Sequence, residues 1–310
     1  MKKIVMLERD NIGADIDLSY YNELGDLTIY GSTDYDLVEE RIRDAEVVVI
    51  NKIPMNEATL KNALNLKLIC VTATGTDNVD MEYCNSRNIK VKNVKGYSTE
   101  SVVQHTFAML FYLYEKLSFY DEYVKSGEYI KCPRFTFFEE HFEELSGKTW
   151  GIVGLGEIGA RVATVAKAFG CRVIYYSTSG RNNHAEFERV DFDTLLAEAD
   201  IISVHAPLNA QTRYLFTYDV FAKMKRGAYF INVGRGPIVK EGDLLKALEE
   251  ELISGAALDV LEKEPMLQEN PLYGYKDSKR LLITPHIAWA TKEARARLMR
   301  EVFRNIKENV

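Results

Sequence analysis

The stretch Lys148-Thr149-Trp150-Gly151-Ile152-Val153-Gly154-Leu155-Gly156-Glu157-Ile158-Gly159 constrains this chain more than any other. A β-type run leads directly into Gly-x-Gly-x-x-Gly, and residues 160–169 follow with helical spacing. A second β-type run at 172–176 closes a strand–helix–strand unit. In such a unit the first glycine permits a tight turn and the second lets a diphosphate approach the backbone. The third lets the helix pack close to the strand. Free N–H groups and the dipole at the helix start then hold the anion. Three glycines alone would only make a turn, but in this context they point to a dinucleotide site at Gly154, Gly156, Glu157, Ile158 and Gly159. A carboxylate aimed at the phosphates would weaken binding, so the Glu157 side chain is expected to face away.

The same alternation of short β-type runs and helical patterns extends through most of the 310 residues. Runs at 4–7, 27–30, 47–50, 68–71 and 89–93 precede the glycine motif. Runs at 149–153, 172–176, 201–205, 228–233, 255–258 and 281–284 begin at it or follow it. Several are continuous Val/Ile/Leu/Tyr runs, as in strands covered by helices on both faces of a parallel sheet. The fold class is therefore α/β, with two doubly wound domains. Between the two sets a helix is expected from Thr99 to about Lys125. It is apolar on more than one face and so is enclosed on several sides. It is either a domain-core helix or one that also joins a dimer interface. A second helix is expected from Thr291 to the end.

Composition removes other classes. The chain is acidic, with net charge −7, and has no block of Lys and Arg, which argues against nucleic acid as a partner. No stretch of 18 apolar residues suggests a membrane span, and the apolar run after the basic start is too short for a signal peptide. Cys70, Cys84, Cys132 and Cys171 form no C-x-x-C pair and no metal-ligand spacing, so no metal is expected, and Cys70 and Cys171 read as buried apolar residues. A cytoplasmic protein is expected.

The end of the second strand in the dinucleotide unit normally carries an acid that bonds the adenosine ribose and repels a 2′-phosphate. Here Ser177 stands there, in Tyr176-Ser177-Thr178-Ser179-Gly180-Arg181, and no acid follows until Glu186. Ser177, Thr178, Ser179 and Arg181 make a cradle for the 2′-phosphate of NADP. The other reading is a solvated loop that tolerates both cofactors or prefers NAD. NADP is the expectation and NAD the alternative.

Carbonyl reduction needs a proton donor, commonly His. Of the five histidines, His286 lies just past the last β-type run, in Thr284-Pro285-His286. Arg235 follows another run, in Val233-Gly234-Arg235-Gly236, and Glu264 a third, in Leu261-Glu262-Lys263-Glu264-Pro265. Each alone suits a structural or surface role. Together they occupy the edge of the sheet where the strands' carboxyl ends bind ligands.

At these residues the chain resembles the D-isomer-specific 2-hydroxyacid dehydrogenase family over nearly its full length. The Arg235, Glu264-Pro265 and Pro285-His286 segments match the family's three catalytic stations in order and spacing. Its glycerate dehydrogenase and hydroxypyruvate/glyoxylate reductase branch is the most similar. That likeness rests on Asn51-Lys52-Ile53-Pro54, the segment from Ala73 to Asp80, the segment from Gly96 to Val102, and Ala288-Trp289-Ala290-Thr291. Leu261 stands where the family commonly has Phe.

The resemblance implies His286 as general acid in reduction and base in oxidation. Glu264 would hold the imidazole, fixing its tautomer and favouring its protonated form. Arg235 would bind the substrate carboxylate and polarise the keto oxygen. Thr74 and Gly75 would offer backbone N–H groups to the carboxylate, and Lys52 and Tyr97 would contact the substrate's distal end. His205, Ala206, Pro207, Val233 and Asp259 would line the cofactor. The implied fold is a discontinuous flavodoxin-like substrate domain, 1–98 plus 285–310, with an inserted Rossmann NAD(P)-binding domain at 99–284. Closure about the two crossings and a homodimer through the inserted domain are implied as well. The expected reaction is reduction of hydroxypyruvate or glyoxylate by NADPH or NADH. D-lactate dehydrogenase or another D-2-hydroxyacid dehydrogenase with a larger pocket is the alternative within the class. A non-catalytic dinucleotide sensor of the same fold is the alternative outside it.

Overall fold

The computed structural model describes residues 2–310. The chain divides into two compact units, one running up to Ser98 and resuming at Trp289–Val310, the other Thr99–Ala288. The second crossing thus falls four residues beyond the expected Pro285. A hydrogen-bond network explains this: the Asp259 carboxylate accepts from the backbone N–H groups of Ile287 and Ala288, tying that segment to the inserted unit.

The first unit carries β1 (Lys3–Met6), β2 (Asp26–Ile29), β3 (Val47–Ile50), β4 (Leu68–Val71) and β5 (Lys90–Lys92). All pair in parallel in the order β2-β1-β3-β4-β5, the flavodoxin-like arrangement. Every residue of β3 and β4 is buried, whereas the edge strands β2 and β5 have none that is. Alternate residues feed two separate cores, as the two-residue period of a strand requires. Ile4, Met6, Val47, Val49, Leu68 and Cys70 pack on the terminal helix Lys292–Asn309 through Leu298, Met299, Val302 and Ile306. Val5, Val48, Ile50, Ile69 and Val71 face Leu60, Ala63 and Cys84. Thr291 caps the terminal helix, its hydroxyl accepting from the Ala294 N–H.

The inserted unit carries β6 (Thr149–Val153), β7 (Arg172–Tyr176), β8 (Glu188–Arg189), β9 (Ile201–Val204), β10 (Tyr229–Asn232), β11 (Gly255–Leu258) and β12 (Leu281–Ile283). They form one parallel sheet in the order β12-β11-β10-β9-β6-β7-β8. The order reverses between β6 and β9, the switch point where such sheets open a ligand crevice beyond the strands' carboxyl ends. The two-residue β8 was not expected, because Glu188 and Arg189 are both exposed and too few to show a period.

The expected helix from Thr99 to Lys125 is two helices, Thr99–Tyr114 and Leu117–Lys125. The chain turns at Lys116, whose φ is +55° and whose ammonium donates to the Tyr229 hydroxyl at 3.1 Å. The first helix buries Val102, Val103, Phe107, Leu110 and Leu113, and the second buries nothing. Cys70 and Cys171 are buried as expected, and burial pushes their thiols up to about 12 and about 11. Neither is a thiolate at neutral pH. Among the described residues, no helix is long and apolar enough to cross a membrane.

Candidate active site

The glycine turn is built as its sequence implies. Gly154 has φ +92°, and a Cβ there would lie 2.9 Å from the Ala206 backbone, so the loops after β6 and β9 can meet only without one. A Cβ on Gly159 would lie 2.3 Å from the Gly154 carbonyl oxygen, which fixes how closely the helix Glu157–Ala168 packs on the turn. Gly156 differs: a Cβ there would meet nothing within 4 Å and would project into open space at the start of that helix. A close turn, an open cradle at its centre and a helix start of free N–H groups together suit a diphosphate. The Glu157 carboxylate accepts the Thr99 hydroxyl at 2.6 Å.

His205 follows β9 at the same crevice. Its Nε2 is 3.0 Å from the Ser203 hydroxyl, which also accepts from the Trp150 indole N–H at 2.8 Å. Its buried Nδ1 has no hydrogen-bond partner among the described residues, and burial pushes its pKa down to about 3. The ring is neutral at physiological pH. Ala206 is buried and Pro207 exposed beside it. An orphaned buried nitrogen at the switch point, beside a cradle that a Cβ would fill, fits a dinucleotide.

The loop after β7 divides its groups differently from the expectation of three hydroxyls on one ligand. Ser177 is 4% exposed, and its hydroxyl accepts the Asn182 N–H at 3.3 Å, so it serves the loop's own turn. Ser179 and Arg181 are exposed and Thr178 is partly so. Arg189 of β8, not anticipated from sequence, brings a guanidinium nitrogen to within 3.8 Å of where a Gly180 Cβ would lie.

The three stations follow three neighbouring strands: Arg235 follows β10, Glu264 follows β11 and His286 follows β12. His286 Nδ1 and Glu264 Oε2 are 2.7 Å apart, and Glu264 Oε1 accepts the Leu261 N–H at 3.1 Å. The carboxylate is thus held by its own loop while it orients the ring. Arg235 is half-buried, with one guanidinium N–H on the Gly234 carbonyl at 3.0 Å. Its loop lies directly on the loop that carries Glu264: a Cβ on Gly236 would fall 1.8 Å from the Leu261 carbonyl oxygen. Asn232 supports the turn, its amide donating to the Arg235 carbonyl and accepting the Gly234 N–H, both at 3.0 Å. Val233 is partly exposed beside it. Asp259, expected among cofactor-lining residues, is 1% exposed, and its carboxylate accepts from Thr284, Ile287 and Ala288.

In the first unit, Lys52 is exposed just past β3, at that sheet's own switch point. Its loop is fixed by a group that sequence reasoning missed. The Glu8 carboxylate accepts the N–H groups of Asn51, Lys52 and Ile53 at 2.6, 3.0 and 3.2 Å. Nothing near Glu8 in sequence signals this, because the three backbone groups it holds lie more than 40 residues away, although the Asn11 amide also donates to it at 3.1 Å. Thr74 is exposed and anchored by its hydroxyl to the Val94 carbonyl at 3.0 Å. The N–H groups of Thr74 and Gly75 make no hydrogen bond among the described residues of this unit. Tyr97 is 7% exposed and packs edge-on against Trp289 in the unit's core, so its ring is part of the packing there.

A family profile described as D-isomer specific 2-hydroxyacid dehydrogenase, NAD binding domain, matches residues 107–288. Glycerate dehydrogenase of Methylorubrum extorquens is 35% identical over 307 residues, 99% of this chain and 95% of that protein. Hydroxypyruvate reductase of Blautia hydrogenotrophica is 35% identical over 313 residues, covering 99% and 96%. Among solved structures, D-lactate dehydrogenase from Aquifex aeolicus, complexed with NAD and lactic acid, superposes with a TM-score of 0.85. It is 28% identical, covering 99% of this chain and 94% of that one. The parallel sheets, the glycine turn and the full-length relatives agree: the chain belongs to the D-isomer-specific 2-hydroxyacid dehydrogenase family, oxidoreductases with a nicotinamide-dinucleotide-binding Rossmann domain.

Proposed function

We propose that the protein reduces a small 2-oxo acid, hydroxypyruvate or glyoxylate, to the D-2-hydroxy acid, with His286 as the acid–base group. The observation that carries the reading is the 2.7 Å pair of His286 Nδ1 and Glu264, on the sheet edge that also bears Arg235 and the glycine turn. The names of two full-length relatives, glycerate dehydrogenase and hydroxypyruvate reductase, support the choice of substrate.

The nicotinamide, when bound, supplies the hydride. Gly154 to Gly159 would hold its diphosphate, with His205 to Pro207 and Val233 beside it. Glu264 keeps a proton on Nδ1 of His286, so Nε2 is the atom that gives a proton to the keto oxygen and takes it back in oxidation. Arg235 holds the substrate carboxylate and stabilises charge developing on the keto oxygen. Thr74 and Gly75 offer N–H groups to the carboxylate, and Lys52 a cation to a polar distal end.

NADPH is the preferred cofactor in this reading. No acid stands between β7 and Glu186 to repel a 2′-phosphate, and Thr178, Ser179 and Arg181 lie in that loop with Arg189 near it. A homodimer is part of the proposal. Ile130, Phe135, Phe138 and Phe142 of the inserted unit are 88%, 92%, 63% and 55% exposed, an apolar surface that a second copy would cover.

The test mixes purified protein with NADPH or NADH and, in turn, hydroxypyruvate, glyoxylate, pyruvate and a branched 2-oxo acid, following the absorbance at 340 nm. Hydroxypyruvate or glyoxylate should give the highest kcat/KM, with NADPH ahead of NADH. No oxidation with any acid defeats the reading. NADH ahead by more than about tenfold, on the order of 1.4 kcal/mol, defeats the cofactor assignment alone.

A further inference from the structure

The loop that presents His286 is itself gripped at both ends by one helix, through groups that the proposed chemistry does not use. His286 has φ +54°, a left-handed conformation uncommon for a residue with a Cβ, so neighbouring bonds must impose it. Its own N–H is shared between the Asp259 and Thr284 carbonyls, at 2.8 and 2.9 Å. The Asp259 carboxylate, 1% exposed, lies beneath the loop. Oδ1 accepts the Thr284 hydroxyl at 2.7 Å and the Ile287 N–H at 2.8 Å, and Oδ2 accepts the Ala288 N–H at 2.9 Å.

The helix Thr99–Tyr114 completes this arrangement. His105 Nε2 is 3.1 Å from the Thr284 hydroxyl and 3.5 Å from Asp259 Oδ1. Because the Thr284 proton goes to Asp259, the Thr284 oxygen is left to accept, which places a proton on His105 Nε2. Four residues earlier, and so one turn away on the same helical face, the Ser101 hydroxyl donates to the Ala288 carbonyl at 2.6 Å. Thr284 opens the loop and Ala288 closes it.

We infer that Ser101 and His105 are positioning residues for His286: His105 acts through the Thr284 hydroxyl and the Asp259 carboxylate, and Ser101 through the Ala288 carbonyl. The inference rests on the acid–base role proposed for His286. The His105 N–H, by donating to the Thr284 oxygen, holds that hydroxyl in the orientation that donates to the buried Asp259 carboxylate. Without that donor the carboxylate pulls on the Ile287 and Ala288 amides, and the imidazole leaves the orientation that Glu264 selects. Small misplacements of a reacting group cost turnover more than binding.

The test compares His105→Leu, His105→Gln, Thr284→Val and the double variant His105→Leu/Thr284→Val, with His286→Ala alongside. His105→Leu and Thr284→Val should each lower kcat about tenfold while KM and nucleotide Kd stay within about twofold. The double variant should fall about tenfold rather than a hundredfold, since one chain is cut twice. His105→Gln, which keeps a donor at similar reach, should recover at least half the parental kcat.

Parental kcat in His105→Leu, equal losses in the Gln and Leu variants, or multiplicative losses in the double variant would each overturn the inference. Should His105→Leu not fold, the near-isosteric Thr284→Val decides alone by the same criterion. Amide hydrogen exchange at Ile287 and Ala288 needs no turnover and so separates the two claims. It should rise at least tenfold in Thr284→Val. Unchanged exchange overturns the positioning role even if the parent proves inactive, whereas activity retained in His286→Ala overturns the acid–base role alone.

Discussion

His286 and Glu264 are a pair whose members depend on each other unequally. The carboxylate is also bonded by the Leu261 N–H, while the Nδ1 side of the ring has Glu264 as its orienting partner. Glu264→Ala should therefore lower kcat by about 10²-fold, within the range for a misoriented acid–base group. Glu264→Gln, whose amide oxygen can still accept from Nδ1, should lose less, as steady-state kinetics on both variants would show. His205 makes a different prediction, about stability. Burial lowers its pKa to about 3 in the folded chain, against an ordinary 6.5 once unfolded. The unfolded state therefore binds the extra proton first. The contribution of neutral His205 is complete above pH 6.5 and is lost as pH falls from there toward 3. Melting temperatures across that range should fall, and His205→Asn should flatten the fall.

At the scale of elements, the three glycines of the turn separate binding from folding. Gly156→Val puts a side chain into open space, so the variant should melt close to the parent yet bind nucleotide at least tenfold more weakly. Gly159→Ala sets a Cβ against the Gly154 carbonyl and should lower the melting temperature, by several degrees for a cost of about 1–3 kcal/mol. Thermal melts and fluorescence titration distinguish the two. The strands β3, β4, β6 and β7 were legible in sequence to the residue, because short runs dominated by Val, Ile, Leu and aromatic residues between turns leave little freedom. β8 and the break at Lys116 were not. Two exposed residues carry no period, and a helix-forming run gives no local sign of where its packing partner ends. The roles proposed for Arg235, Glu264 and His286 rest on the order of three motifs, and their placement after three neighbouring strands agrees with that order. Glu8, His105 and Thr284 stayed hidden because each bonds a segment far away in sequence.

For the whole molecule, the net charge of −7 argues against a polyanion as partner, yet the proposed ligands are anions. The chain's answer is local: a helix start, an exposed loop with Arg181 and Arg189 near it, and a half-buried Arg235. High salt should weaken NADPH binding more than NADH binding, because the groups proposed to hold the 2′-phosphate, Ser179, Arg181 and Arg189, are exposed. Each unit forms its own parallel sheet, but the exposed aromatics between Ile130 and Phe142 belong to the inserted one. Sedimentation should accordingly give twice the 35.4 kDa chain mass. Phe135→Asp combined with Phe138→Asp should shift it toward one chain.

Among these claims the role of His286 is central, and it is best tested by measuring turnover and nucleotide affinity on His286→Ala together. Reduction of hydroxypyruvate or glyoxylate should fall by about 10³-fold or more, with NADPH bound as tightly as by the parent. Turnover within tenfold of the parent, or a loss of nucleotide binding equal to the loss of turnover, would contradict the account.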